Sequence, residues 1–383
     1  MKNQNKMKKL FVSNLILVFV LMQVLILACS PQDKELAQHA SHKRNVDNPK
    51  PETSSNQLGR HIFDIFEDSQ GTLWFGTAEK GVAYFDGKTL NYLTTDDGLC
   101  GKTVANIAED NEGVLWFGTF SDMCRYDLKK NKDSIAVSLI GFEKDNEGVP
   151  LLGYGWKMVQ TDKDGNIWVN SHHGMFQYIN SEFKEFNVPG VVNAEASFCN
   201  TPGSISMDFI DSKGNLWFGT DHDGAYKYDG TTFFHFTKAD GLTSNSITSI
   251  QEDGNGHIWF GCRSALNSNN KTDGGVCSYD GRSFTVYQDR EGLYENNIHT
   301  LYTDRNNNLW IGATGTGVYK FDGEAFKLYK EPQYVDAADG FNVAGLQSML
   351  EDSKGRVWMG FSGGLFRLDG ETIINVQKNG PWD

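Results

Sequence analysis

His172 and His173 occupy one short polar turn, and Asp221, His222 and Asp223 occupy the matching turn of the next copy of a repeated unit. Imidazoles and carboxylates are ligands for divalent metals and are also the groups that move protons near neutral pH. Their spacing and order match no zinc motif, so three readings stay open: a metal or acid–base centre, hydrogen-bonding groups for a ligand, or solvated turn residues. Arg263 and Ser264 stand on a corresponding turn further along, and Tyr294, Asn296 and His299 at the entry to a strand. Asp208 falls in a column otherwise held by Ile65, Ile107, Val159, Ile250, Leu301 and Met349. An acid there is expected to be buried unless the strand slips, and a buried carboxylate needs partners; it marks either a site or a satisfied structural residue. No catalytic set can be assembled from these groups. No cofactor and no metal centre are predicted; a divalent ion is the inorganic ligand such side chains would accept.

Cysteine adds little chemistry. Apart from Cys29 there are Cys100, Cys124, Cys199, Cys262 and Cys277, with no C-x-x-C pair and no Cys/His cluster, which argues against redox catalysis and a structural zinc. Cys262 and Cys277 flank a long insertion between strands expected to be antiparallel neighbours, so they are the first disulfide candidate, with Cys100 and Cys124 a weaker pair.

The elements that position these residues come from a repeat. Trp74, Trp116, Trp168, Trp217, Trp259, Trp310 and Trp358 recur at intervals of 42 to 52 residues, the period of a propeller blade. Around each lie four short β-forming stretches, a to d, which in the first copy are Ile62 to Glu67, Leu73 to Thr77, Val82 to Phe85 and Thr89 to Thr94. An Asp stands six residues before every marker Trp, and three residues before it stands Gly, with Asn307 the exception. That is turn chemistry, because Gly and Asn accept positive φ and Asp bonds nearby backbone N–H groups. Asp162-Lys163-Asp164-Gly165-Asn166 imitates a calcium loop, but sevenfold repetition favours the turn. Asp-Gly pairs at Asp86, Asp229, Asp280, Asp322 and Asp369 suit c–d hairpins. The expected fold is all-β: a seven-bladed β-propeller with four antiparallel strands per blade, spanning residues 58–383 and closing by face packing between the first and last blades.

The unit Glu-Asp-x-x-Gly-x-Leu-Trp-Phe-Gly-Thr, then Tyr-Phe-Asp-Gly and Asp-Asp-Gly-Leu (Asp96 to Leu99), resembles the two-component regulator propeller repeat over about residues 58 to 376. The resemblance implies a sensing or binding module; in that family the repeats form periplasmic sensor regions, many responding to glycans. No kinase, downstream membrane helix or DNA-binding region follows the ring in this sequence, so signalling through an attached kinase is not expected. A weaker resemblance is to streptogramin-type lyases, with no catalytic constellation that carries over.

Insertions fall at Gly141 to Tyr154, Val188 to Ser204, Glu331 to Gly345 and Arg263 to Gly275, all in d–a or b–c connections, which share one face of the ring. That face is the expected working surface, since binding residues sit on loops held by a rigid scaffold. Trp156 looks like a ligand platform, yet its column elsewhere holds Ile62, Val104, Ile205, Ile247, Ile298 and Leu346, which argues for core.

Residues 1–28 read as a lipoprotein signal peptide: a Lys-rich start, the apolar run Leu10 to Leu27, and a lipobox-like ending before Cys29, the lipidation site. Residues 29–57 read as a flexible tether. The expected location is the bacterial envelope, as an outer-membrane lipoprotein facing the periplasm or the cell surface. The net charge of −14 argues against nucleic acid as a partner. The expected partners are the membrane, through the lipid, and a glycan, small molecule or envelope protein bound by a monomer. The leading expectation is a non-enzymatic binding module; the alternative is a lyase or hydrolase with its active site at the channel mouth.

Overall fold

The computed structural model describes residues 56–120, 123–127, 137–139, 158–162, 164–171, 174–180, 182–188, 205–264, 273–287, 293, 297–313, 317–330 and 345–382. Residues 1–53 separate from the rest as a unit of their own, and the ring lies within 54–383. Cys29, the tether as far as residue 55, and Trp156 are outside the described residues.

The fold is the expected propeller. Seven antiparallel sheets each hold four sequence-consecutive strands, so no blade borrows a strand from another. The innermost strands a are Ile62–Glu67, Val104–Glu109, Met158–Thr161, Ile205–Ile210, Ile247–Glu252, Ile298–Thr303 and Leu346–Glu351. Each contacts the strand a on either side, which closes the ring around its axis. Among the described residues the one helix is the 3-10 turn Thr95–Asp97, and no helix is long and apolar enough to cross a membrane.

One interaction recurs in all seven copies. The Asp six residues before each marker Trp accepts, through one oxygen, the backbone N–H groups two and four residues on, as Asp68 does from Gln70 and Thr72 at 2.9 Å. Its other oxygen accepts the indole N–H of the Trp at 2.8 to 3.0 Å. The turn closes with a left-handed residue: φ is +82° at Gly71 and +63° at Asn307, where glycine or asparagine meets little steric penalty. These Asp residues are structural, as the repeat implied.

The clamp orients each Trp into the layer between its blade and the next. Seven apolar clusters fill the seven junctions; one of them packs Trp74, Val82 and Leu93 of blade one with Val104, Ile107 and Phe117 of blade two. In six of the seven blades close approach across the junction also uses a glycine two residues after the Trp; blade three has Asn170 there. A Cβ at Gly76 would stand 2.6 Å from the Val104 carbonyl oxygen, and one at Gly360 2.7 Å from that of Ile62. Polar latches add to this. Glu109 accepts the N–H and hydroxyl of Ser69 at 2.7 and 2.6 Å, Glu252 those of Ser212, and Glu67 those of Ser353 across the closing junction.

Closure has a part that the repeat does not show. Beyond blade seven, Trp382 stacks on Phe85 of blade one with ring centroids 4.3 Å apart and lies 6.0 Å from Phe75 and Trp358. Lys378 donates its N–H to Asn56 at 2.8 Å. The chain end thereby seals the junction of blades seven and one.

Replacing Asp211 by alanine strands the Trp217 indole N–H and the Asn215 backbone N–H, both buried. Urea denaturation is expected to show a loss of about 2–4 kcal/mol, and a clearly smaller loss for Asp229→Ala in an exposed hairpin.

Candidate functional site

The b–c tips and d–a connections meet on one face. Gly81 donates its N–H to the Lys102 carbonyl at 2.8 Å, Gly224 to that of Asn245 at 2.8 Å, and Arg263 to that of Ser246 at 3.0 Å. In blade four the tip is shaped by Thr220, which ends strand b: its hydroxyl donates to the Gly224 carbonyl and accepts the Asp223 N–H, both at 2.8 Å. Thr77 does the same in blade one.

On this face the structure joins blades four, five and six. The Arg263 guanidinium meets the Asp221 carboxylate at 2.5 Å, linking the tips of blades five and four. Both side chains remain substantially exposed, so the pair orients the guanidinium more than it stabilises the ring. Ser246 donates its hydroxyl to the Asp221 carbonyl, and His222 Nδ1 lies 3.5 Å from the Ser246 hydroxyl oxygen. Asn297, absent from the sequence-based candidates, accepts the Ser264 N–H at 3.1 Å and ties the blade-five tip to the entry of blade six. His299 follows, at the bulge where strand a of blade six begins. Its ring keeps a face open, yet burial first and the Arg263 charge second hold its pKa below the usual histidine value. His299 is therefore a neutral imidazole at pH 7, able to accept or donate one hydrogen bond. Behind these groups, Lys238 pairs with the buried Asp273 at 2.5 Å and fixes the end of the blade-five insertion.

Some expected members lie elsewhere. Asp223 turns from the channel to the outer strands: it accepts the Tyr226 hydroxyl at 2.6 Å, and its carbonyl contacts His235 Nε2 at 2.5 Å. Burial and that carboxylate push the Tyr226 phenol well above its usual pKa. His172, His173 and Tyr294 lie outside the described residues, so the convergence seen is of blades four to six. Among the described residues no group of three metal-binding side chains gathers. Asp208 is explained by a slip. In blade four the register shifts between Met207 and Phe209, so Met207 pairs with Phe218 as Ile65 pairs with Phe75, and Asp208 takes the bulge. In blades one, two, five, six and seven the bulge falls two residues into the strand, at Phe63, Ala105, Thr248, His299 and Gln347.

The cysteine expectation is corrected. Cys100 and Cys124 form the disulfide, with Cα atoms 5.9 Å apart, and Cys262 and Cys277 are free buried thiols. The register is the reason: Cys262 opposes Gly275 and Cys277 opposes Phe260, so the two are diagonal and not directly facing.

A polar residue on the inner ring was also missed. Asp64 accepts the N–H of Ile65 at 2.9 Å, the N–H of Ile107 in blade two at 2.8 Å, and the Ser348 hydroxyl of blade seven at 3.1 Å. Ser249 and Ser348 hold the same column and accept the matching N–H groups of Leu301 and Ile65, each at 3.1 Å. Burial pushes the Asp64 carboxyl up to about 7 against three hydrogen bonds that lower it. The signal available in the sequence was an acid in a column that otherwise reads Asn106, Met158, Met207, Ser249, Thr300 and Ser348.

The model of the two component regulator propeller matches residues 56–79, 98–121, 241–264 and 295–315, the a and b strands of blades one, two, five and six. The chain carries two-component regulator propeller repeats. Among curated proteins, the repeat chain is similar to Histidine kinase P4 of Formosa agariphila, 25% identical over 189 residues, which cover 44% of this chain and 13% of the kinase. Among solved structures, the extracellular domain of the hybrid two component system BT3049 from B. thetaiotaomicron aligns with TM-score 0.60 and 23% identity, over 82% of this chain and 39% of that one. A streptogramin B lyase aligns with TM-score 0.58 and 12% identity, over 81% and 93%. PorZ, a surface component of the type-IX secretion system of Porphyromonas gingivalis, aligns with TM-score 0.55 and 17% identity, over 81% and 46%. These likenesses are of fold.

Because the folded pKa of Asp64 is raised, its contribution to stability is fully present below about pH 4 and is lost as pH rises through about 7. Asp64→Ser, which retains an acceptor as at Ser249, is expected to raise the calorimetric melting temperature at pH 8 and to leave it little changed at pH 4.

Proposed function

We propose that this protein is an envelope lipoprotein, held to the membrane through Cys29, whose propeller is a non-enzymatic binding module of sensing type. The reading rests on the two-component regulator propeller repeats and on a polar cluster at one end of the ring. The single observation that carries it is the Asp221–Arg263 ion pair at 2.5 Å, which links the tips of blades four and five and holds an exposed guanidinium on the face where His299 of blade six feels its charge. Such a cluster suits a ligand rich in hydroxyl or anionic groups. The lipobox-like ending before Cys29 supports an envelope location, as do relatives described as a histidine kinase and as the extracellular domain of a two component system.

A second reading, a lyase or hydrolase at the same mouth, is favoured by one observation. A neutral His299 beside a cation is competent as a proton acceptor.

The test is a thermal-shift screen of the full-length chain against glycans and divalent metal salts. A specific ligand at 100 times its Kd adds about 2.7 kcal/mol to stability, and Arg263→Gln is expected to abolish the shift. A panel without any shift would count against ligand binding and favour a scaffold. Conversion of the bound ligand, lost in His299→Gln, would replace the binding reading by the enzymatic one.

A further inference from the structure

Blade five holds a pair of thiols that the channel-mouth cluster does not use. Cys262 ends strand b, where the other blades have Thr77, Thr119, Ser171, Thr220, Ala313 and Phe361, and Cys277 lies in strand c opposite Phe260. Both are fully buried in the junction with blade four, in one cluster with Trp217, Ala225, Ile250 and Phe260. The Cys277 thiol donates to the Cys262 sulfur, so the two sulfurs are neighbours. From the connection that enters blade five, the backbone N–H groups of Thr243 and Ser244 also donate to Cys262. The Thr243 hydroxyl is buried beside both thiols and has no oxygen or nitrogen partner among the described residues.

Blade two shows what these thiols are not. There Cys124 holds the column of Cys277, opposite Phe117 as Cys277 is opposite Phe260, and its disulfide partner Cys100 sits in the incoming connection. Leu99 and Leu242 donate their N–H groups to the carbonyls of Thr94 and Thr237, which aligns the two connections and puts Thr243 where Cys100 stands. In blade five the second thiol is on strand b instead. Residues diagonal across an antiparallel ladder have Cα atoms roughly 7–8 Å apart, beyond the roughly 4.4–6.8 Å that a disulfide spans; Cys100 and Cys124 are 5.9 Å apart. The ladder therefore keeps two sulfurs side by side and resists joining them. A metal ion asks for the wider spacing: with thiolate–metal bonds of about 2.3 Å, a linear S–metal–S unit spans about 4.6 Å, against about 2.05 Å for an S–S bond.

We infer that Cys262 and Cys277 form a two-coordinate site for a soft monovalent ion, cuprous copper. Thiolates select soft ions. Structural zinc and iron–sulfur clusters take four ligands, and the described residues gather no group of three. Binding exchanges two thiol protons, which leave to solvent, for one Cu(I), whose oxidation state does not change. The resulting bis-thiolate carries one negative charge, and the Thr243 and Ser244 N–H groups and the Thr243 hydroxyl face the sulfur that gains it, as outer partners of a metal site do. The protons are already unequally held. Against burial, which raises it, hydrogen bonds from Cys277, Thr243 and Ser244 keep the Cys262 thiol below its usual pKa, while burial first and Cys262 second keep Cys277 well above. Cys262 is thus the first ligand, and Cys277 gives up its proton to the metal.

The test is an anaerobic titration of the full-length chain with Cu(I) held by bicinchoninate, in a Cys29→Ser, Cys199→Ser background that removes the thiols outside blade five. The chain is expected to withdraw one equivalent of copper, to melt at a higher temperature when loaded, and to show two sulfur neighbours in the X-ray absorption spectrum of the metal. Cys262→Ser and Cys277→Ser are each expected to abolish the uptake, with melting curves showing that the ring is intact. The absorption spectrum is taken on the chain with both thiols, so it decides even where a serine variant fails to fold: oxygen or nitrogen neighbours in place of the two sulfurs overturn the site. No uptake, uptake that survives both substitutions, or equal uptake of Zn(II) overturns it as well. So does a Cys262–Cys277 disulfide found by peptide mapping of the untreated protein.

Discussion

The whole ring depends on one hydrogen-bonded unit, the carboxylate that takes two backbone N–H groups of its own turn and the indole N–H of the following tryptophan. The unit solves a problem peculiar to this fold. A four-stranded blade has two faces to bury, and the residue that fills most of the gap to the next blade is a Trp, whose N–H needs a partner once buried. The a–b turn supplies that partner from within the same blade. Each copy can therefore bury a large ring without depending on its neighbour for polar satisfaction, and the neighbour has only to be apolar and close.

Closeness is set by a second constraint in six of the seven blades, the glycine two residues beyond the Trp, where a side chain would strike the inner strand of the next blade, as at Gly76, Gly261, Gly312 and Gly360. With turn, Trp and Gly in place, the polar latches from Ser69, Ser212 and Ser353 to a glutamate of the next blade fix the relative height of adjacent blades. Asp64 and Ser348 repeat the device on the innermost strands, where a hydroxyl suffices and a carboxylate carries a desolvation cost. The rigid, self-satisfied ring leaves its connections free to vary, which is where the polar cluster of blades four to six resides.

Comparison among the seven copies separated structure from function better than any single motif did. The Asp–Trp pairs and the Asp-Gly hairpins are the same in copy after copy and are structural. Departures from their columns proved informative in different ways. Asp208 departs because strand a of blade four slips by one residue, so that Met207 and not Asp208 pairs with Phe218 in the ladder. Asp64 hid because its column is mixed, holding Asn106, Met158, Met207, Ser249, Thr300 and Ser348 in the other blades, and nothing local distinguishes a carboxylate that joins three blades from one that faces solvent.

By itself the sequence determined the repeat, the four strands per blade, the turn chemistry and the face on which connections vary, because each of these is set by residues within a single blade. Tertiary structure decided what depends on distance between blades or on exact strand pairing. Cys262 and Cys277 bracket one loop, yet a two-residue offset in the ladder leaves them diagonal, while Cys100 and Cys124, less conspicuous in sequence, meet. Asp221 finds Arg263 only because the ring sets the tips of blades four and five side by side. Trp382 reaches Phe85 only once the ring has closed. Local hydrogen bonding is written residue by residue, whereas register and ring closure are properties of the packed whole, and the chemistry of this protein lies in the second class.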